Sequence, residues 1–473
     1  MDRIKPPLTF IQSSDGTMAE GLDHDKLTAF FRELSPAARA KLAHAMTSEA
    51  GAAIPFRDVI LEPLLAAQRA LGEIRASVAP EQLLLAPLDP FISPEDARTK
   101  TSGIVSQATK DRLAKWLVTT GAPDIVSDLG AKLDRISGRA EQDAAVDAAQ
   151  DKLAHHLTDL LAKADTPKTR NKLAAQLGGE NAVADLEDLA VVLRRRVLLA
   201  RFAAETYPPG TSMDEALKAA KARLDPLAIK YQDALSFALI LLRQKLPNPQ
   251  TFVRLAAVAV DSTDGARICE TPYVRILDLV LAEAEREHSC ARRLTATSDR
   301  AQFLRAVRGF GAAARALGTE IDLLPDGPHS RGLAALKREM AEGVRADLQD
   351  LSPRVRRLVR PRDKERSLED YEVARLVADL DLLLIARTYA EEIALNALSG
   401  RVFSEVRELL DTGTPPLIER LRGADEKSKP ALRARLTNIV SISAKIFGSE
   451  YAALMSKAVD VAGQEARQQL RSA

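Results

Sequence analysis

The sequence predicts an all-α fold: an irregular multi-helix bundle or array of antiparallel helices, in two to four subdomains, without a regular repeat. Three observations lead there. Seven Ser, Thr or Asn residues stand directly before a proline, which is how a helix start reads. Between these points apolar residues recur every three or four positions, and strand-like alternation of useful length is missing. Composition agrees, because the chain is 46% hydrophobic but only 4% aromatic, with Ala and Leu dominating the apolar set.

The starts fall in order at Ser35-Pro36, Ser93-Pro94, Thr166-Pro167, Asn248-Pro249, Thr271-Pro272, Ser352-Pro353 and Thr414-Pro415. The cap oxygen accepts from an amide of the first turn, and proline there has no amide to leave unpaired. Ser93 to Asp96 and Ser367 to Asp370 also resemble capping boxes, with Asp in place of the commoner Glu or Gln. Residues 182–205 carry a helical stripe through Val183, Leu186, Leu193 and Val197, with acids early and Arg194, Arg195, Arg196 and Arg201 late, matching the helix dipole. Residues 371–398 read as one broad-faced central helix. Gly178-Gly179 is placed to end the helix begun at Pro167. The run LSFALILL (235–242) is too short to span a bilayer and reads as a buried helix segment.

The intervals between capped starts are 58, 73, 82, 23, 81 and 62 residues, so no helical-repeat period emerges. Breaks near residues 90, 210 and 325 divide the chain into a mobile N-terminal tail (1–21) and helical segments 22–90, 91–210, 211–325 and 326–473. The Pro-Pro-Gly turn at 208–210 marks the second break.

Charge narrows the function classes. With 67 basic and 66 acidic residues, the chain lacks the basic excess of a protein that coats nucleic acid. Two cysteines, Cys269 and Cys290, give no disulfide framework, and no secretory signal is readable at the N-terminus. A cytoplasmic protein without a transmembrane segment is expected. No phosphate-cradling glycine loop occurs and no cofactor is expected.

Few residues suggest chemistry. Glu283, Glu285, Glu287 and His288 lie close together, and Glu285 and His288 have the Glu-x-x-His spacing that puts two metal ligands on one helix face. A solvated acidic face is the competing reading, and Asp326 to His329 repeats the spacing only in a turn. His155, with Asp151 and Asp159 one turn to either side, is a weaker metal candidate. Residues 354–366 (RVRRLVRPRDKER) hold seven cations against two acids. Arg354, Arg356, Arg357, Arg360 and Arg362 could contact a nucleic acid or an anionic surface. No aromatic residue in the segment would stack on bases, and the arginines could equally pair with acids of neighbouring helices.

Taken together these features read as a non-enzymatic helical scaffold or regulatory protein that binds a protein partner. The alternatives are a helical enzyme with a site assembled from residues distant in sequence, whose metal-dependent form would use Glu283, Glu285 and His288, and a polyanion binder using the arginine segment. A face as apolar as 371–398 can be buried within one chain or across a homo-oligomer interface.

Overall fold

In the computed structural model, residues 24–47, 57–71, 78–93, 100–136, 138–204, 212–246, 248–294, 299–360 and 370–472 are described. The expected tail (1–21), the 208–210 turn, both Asp-containing boxes beyond Ser93 and before Asp370, and Arg362 lie outside those residues. Helix makes up 84% of the structure, and the all-α reading holds. No helix of the described residues is long and apolar enough to cross a membrane.

The chain forms two compact units, one of residues 1–89 and 110–194, the other of 90–109 and 195–473. Helices of the first unit are α1 (His24–Glu33), α2 (Pro36–Thr47), α3 (Arg57–Ala70), α4 (Pro80–Leu85), α5 (Gln107–Trp116), α6 (Pro123–Leu133), α7 (Arg139–Lys163), α8 (Pro167–Leu177) and α9 (Glu180–Ala204), with α5 and α9 crossing the division. The first three share a small core of Phe31, Ala43, Leu64 and Ala67. Buried Arg39 fastens α2 to α1 by donating to the carbonyls of Phe31 (3.2 Å), Arg32 (3.1 Å) and Leu34, which closes the orphan acceptors at the end of α1. Further on, the Trp116 ring lies so close to Gly121 that a Cβ there would sit 2.4 Å from it, so only glycine fits.

The second unit contains α10 (Met213–Lys230), α11 (Gln232–Lys245), α12 (Pro249–Val260), α13 (Gly265–Cys269), α14 (Val274–Leu294), α15 (Arg300–Glu320), α16 (Pro328–Gln349), α17 (Leu351–Val359), α18 (Asp370–Thr388), α19 (Asn396–Arg422), α20 (Lys429–Phe447) and α21 (Ser449–Ser472). A two-residue parallel ladder pairs Ile92 with Val105 and Ser93 with Ser106. Helices α14 and α15 pack along each other most extensively, and α19, α20 and α21 pack together. The small residues Ala306, Ala313, Ala314 and Gly311 let neighbours approach α15 closely. The 235–242 run is buried in α11 apart from half-buried Ile240, as its composition requires.

Several starts are capped as read. Thr166 and Thr169 form a reciprocal box at α8, Asn248 accepts from the Gln250 amide at α12, and Ser35 accepts from the Ala38 amide at α2. Gly178 closes α8 in the left-handed conformation at φ 93°. A full box at α10, Ser212 with Glu215, has no proline and escaped the sequence reading.

Other starts need correction. Thr414-Pro415 begins nothing: α19 runs through it with Pro415 and Pro416 inside. The Thr414 hydroxyl bonds back to the Leu410 carbonyl (2.6 Å), and the buried face of Leu409, Leu410, Leu417 and Leu421 continues across the prolines, outweighing the missing amides. Thr271 turns the chain, and α14 begins at Val274. Helix α17 begins at Leu351, one residue before Ser352.

The long helix expected over 371–398 is two. It stops at Thr388 because Arg315 donates to the Thr388 carbonyl and grips Glu392 at 2.9 and 3.1 Å, holding the chain in a turn. Ala394 takes φ 54° there before α19 starts.

Candidate functional site

Helix α14 displays the acidic cluster, but its members go to different neighbours. Glu283 is held in a fork by Arg243 of α11, at 2.7 and 3.0 Å, and the same guanidinium donates to the Leu246 carbonyl at 2.7 Å. Glu287 lies against Gly309 of α15, where a Cβ would meet its carboxylate carbon at 2.8 Å. His288 is 2% exposed, with Nε2 3.7 Å from the Glu339 carboxylate of α16. Glu285 is half-buried one turn before it. Among the described residues no group of three or more His, Cys, Asp or Glu side chains is arranged to hold a metal ion.

His329 stands in the first turn of α16 and its Nε2 lies 2.7 Å from the Asp278 carboxylate. Burial, and then the charge of Asp278, push the nearby Cys269 thiol above its ordinary range, so it is kept protonated rather than activated. In the first unit His155 contacts the Asp151 carbonyl through Nδ1 (2.7 Å), whereas Asp159 lines a cleft beside His156. The three-residue set around His155 is thus not assembled by side chains.

The arginine segment divides by helix face. Arg354 turns inward and meets Asp379 at 2.5 Å. Asp379 is fully buried and also binds Arg300, which pairs with Asp347 at 2.7 Å and stacks 4.3 Å over Phe303. Two cations and two anions from α15, α16, α17 and α18 therefore neutralise one another. Arg356 and Arg357 face solvent, and exposed Arg360 donates to Thr412 at 2.8 Å.

Two further features were not legible in the sequence. Along α21, Ala452, Met455, Val459 and Ala462 are buried, yet Tyr451, Leu454, Ala458 and Val461 make a second apolar stripe on another face. Its 3-4-3 spacing keeps the four residues on one side of the helix. Leu454 is 67% and Val461 47% exposed, while Tyr451 and Ala458 are half-buried. The second feature is an open cleft of about 690 Å³ where α19 passes into α20, lined by Arg420 and Arg435 among others.

Compared with known proteins, the chain matches no family model, and no curated protein or solved structure is significantly similar to it.

Proposed function

We propose that the chain is a non-enzymatic helical scaffold that docks an amphipathic helix of a protein partner along α21. The observation that supports this is the second apolar stripe, Tyr451, Leu454, Ala458 and Val461. A helix whose only task is to close the bundle needs one apolar face, and α21 already has it in Ala452, Met455, Val459 and Ala462. Scattered single apolar residues are ordinary on a surface, but four at heptad-like spacing form the seam on which a second helix packs. Glu450, Lys457 and Gln464 line one side of the seam and supply a polar edge to such a contact, while the buried face of Met455 and Ala462 borders the other.

Affinity capture from native lysate tests the reading, with wild type and the Leu454→Asp, Val461→Asp double variant side by side. Both sites face solvent, so the variant should keep the wild-type circular dichroism spectrum. A stoichiometric partner held by wild type and lost by the variant supports the proposal. No partner, or one retained by the variant, contradicts it.

A second reading draws on the outward arginines Arg356, Arg357 and Arg360, which could contact an anionic surface. It requires retention on heparin that falls when Arg356 and Arg357 are both changed to Ala.

A further inference from the structure

We propose that the cleft between α19 and α20 binds a phosphate group, free or carried on a small molecule, between the guanidiniums of Arg420 and Arg435. This site is independent of the α21 seam.

Charge accounting within the second unit is the first support. Four other inward arginines of the unit have acids: Arg243 has Glu283, Arg315 has Glu392, and Arg300 and Arg354 share Asp379, whereas Arg275 donates to the Ser236 hydroxyl. Arg435 is half-buried and lines the cleft with Arg420, yet no carboxylate among the described residues lies within ion-pair distance of either. Two neighbouring acids are taken. Glu419 pairs with Arg422 at 2.6 Å and Asp460 with Arg433 at 2.7 Å. Asp425 also lines the cleft, but its carboxylate accepts from the amide (3.0 Å) and hydroxyl of Ser428. Burial, and then the charge of Arg420, lower the proton affinity of Arg435.

The second support is the surroundings of the pair. The start of the 19-residue α20 adds the positive end of its dipole, opposite the negative end of α19 that Arg420 complements. Positive charge therefore exceeds the single carboxylate of Asp425. Two planar guanidiniums suit the several oxygens of a phosphate, each able to donate two parallel hydrogen bonds. The cleft volume lies in the range of small-molecule sites, and Leu432 supplies an apolar wall for a body attached to the phosphate.

The test is titration of the full chain with inorganic phosphate and with glycerol phosphate, at ionic strength fixed by chloride and read by calorimetry. Saturable binding is expected, weakened about tenfold to a hundredfold in Arg420→Gln and in Arg435→Gln, since each removes charge-assisted hydrogen bonds. Without phosphate both variants should melt at or above the wild-type temperature, because a repulsion has been removed. Arg433→Gln, whose arginine is committed to Asp460, should bind as wild type does. Tighter binding of glycerol phosphate assigns the site to a phosphorylated small molecule, and tighter binding of inorganic phosphate to the free ion. Absence of saturable binding overturns the proposal, as does unchanged affinity in the exposed-site Arg420→Gln variant or equal weakening by Arg433→Gln.

Discussion

Replacing Asp379 by Asn tests the buried charge cluster that ties α15, α16, α17 and α18 together. The side chain is 0% exposed and serves both Arg300 and Arg354. The amide keeps the shape and one acceptor oxygen but removes the only negative charge paired with Arg354 among the described residues. Removing one partner of a buried ion pair costs about 3–5 kcal/mol, because the other charge stays buried. The low end applies, since Arg300 keeps Asp347 at 2.7 Å. About 3 kcal/mol corresponds to a melting temperature lower by about 6 °C for a unit of this size. Thermal unfolding followed by circular dichroism at neutral pH measures it. Substituting the pair together, Asp379→Leu with Arg354→Met, should recover much of the loss of Asp379→Leu alone, as well-packed apolar pairs can replace buried ion pairs. A change below about 1 kcal/mol in Asp379→Asn, or a double variant worse than the single, would refute the reasoning.

Three other outcomes are expected. The Tyr273 hydroxyl donates to Asp225, and burial and then that carboxylate raise the tyrosine above its ordinary value near 10. The raised value means stability that is present below pH 10 and lost as pH rises above it. Tyr273→Phe should therefore cost about 1 kcal/mol at neutral pH and flatten this alkaline loss, read from melting temperatures at pH 7 and pH 10.5. Within α15, Gly311→Ala would place a Cβ 2.4 Å from the Tyr389 ring and should destabilise by about 1–3 kcal/mol, whereas Gly318→Ala meets nothing within 4 Å and should stabilise by about 0.5–1 kcal/mol. Denaturant midpoints of the two variants should move in opposite directions. On heparin, Arg354→Ala should leave the salt needed for elution unchanged, and Arg356→Ala with Arg357→Ala should lower it, because only the latter pair faces solvent.

The helical class and several helix starts were legible because caps and apolar periods are local. Thr166 and Asn248 act on amides within three residues, and no distant contact is needed to read them. Where tertiary contacts decide, the same signal misled. Thr414-Pro415 carries a cap-proline signature, yet a buried leucine face carries α19 through it. The end of α18 is set by Arg315, more than seventy residues earlier in sequence.

The sites divide on the same ground. Glu283 to His288 share a helix, but Arg243, Gly309 and Glu339 on three other helices draw them apart. Nothing near Arg354 in sequence marks it as the inward member of its segment. Arg420 and Arg435 meet only because α19 and α20 fold back around a short loop. A last-turn arginine such as Arg420 reads locally as an ordinary complement to the helix dipole. The outer stripe of α21 could not be separated from its inner one before the neighbours that bury Met455 and Val459 were known.

Docking on α21 is measured through the affinity of the captured partner for the Leu454→Asp, Val461→Asp variant. Each side chain should contribute about 1.5 kcal/mol or more when covered, so the dissociation constant should rise about a hundredfold or more with the fold unchanged. An affinity equal to that of wild type would contradict it.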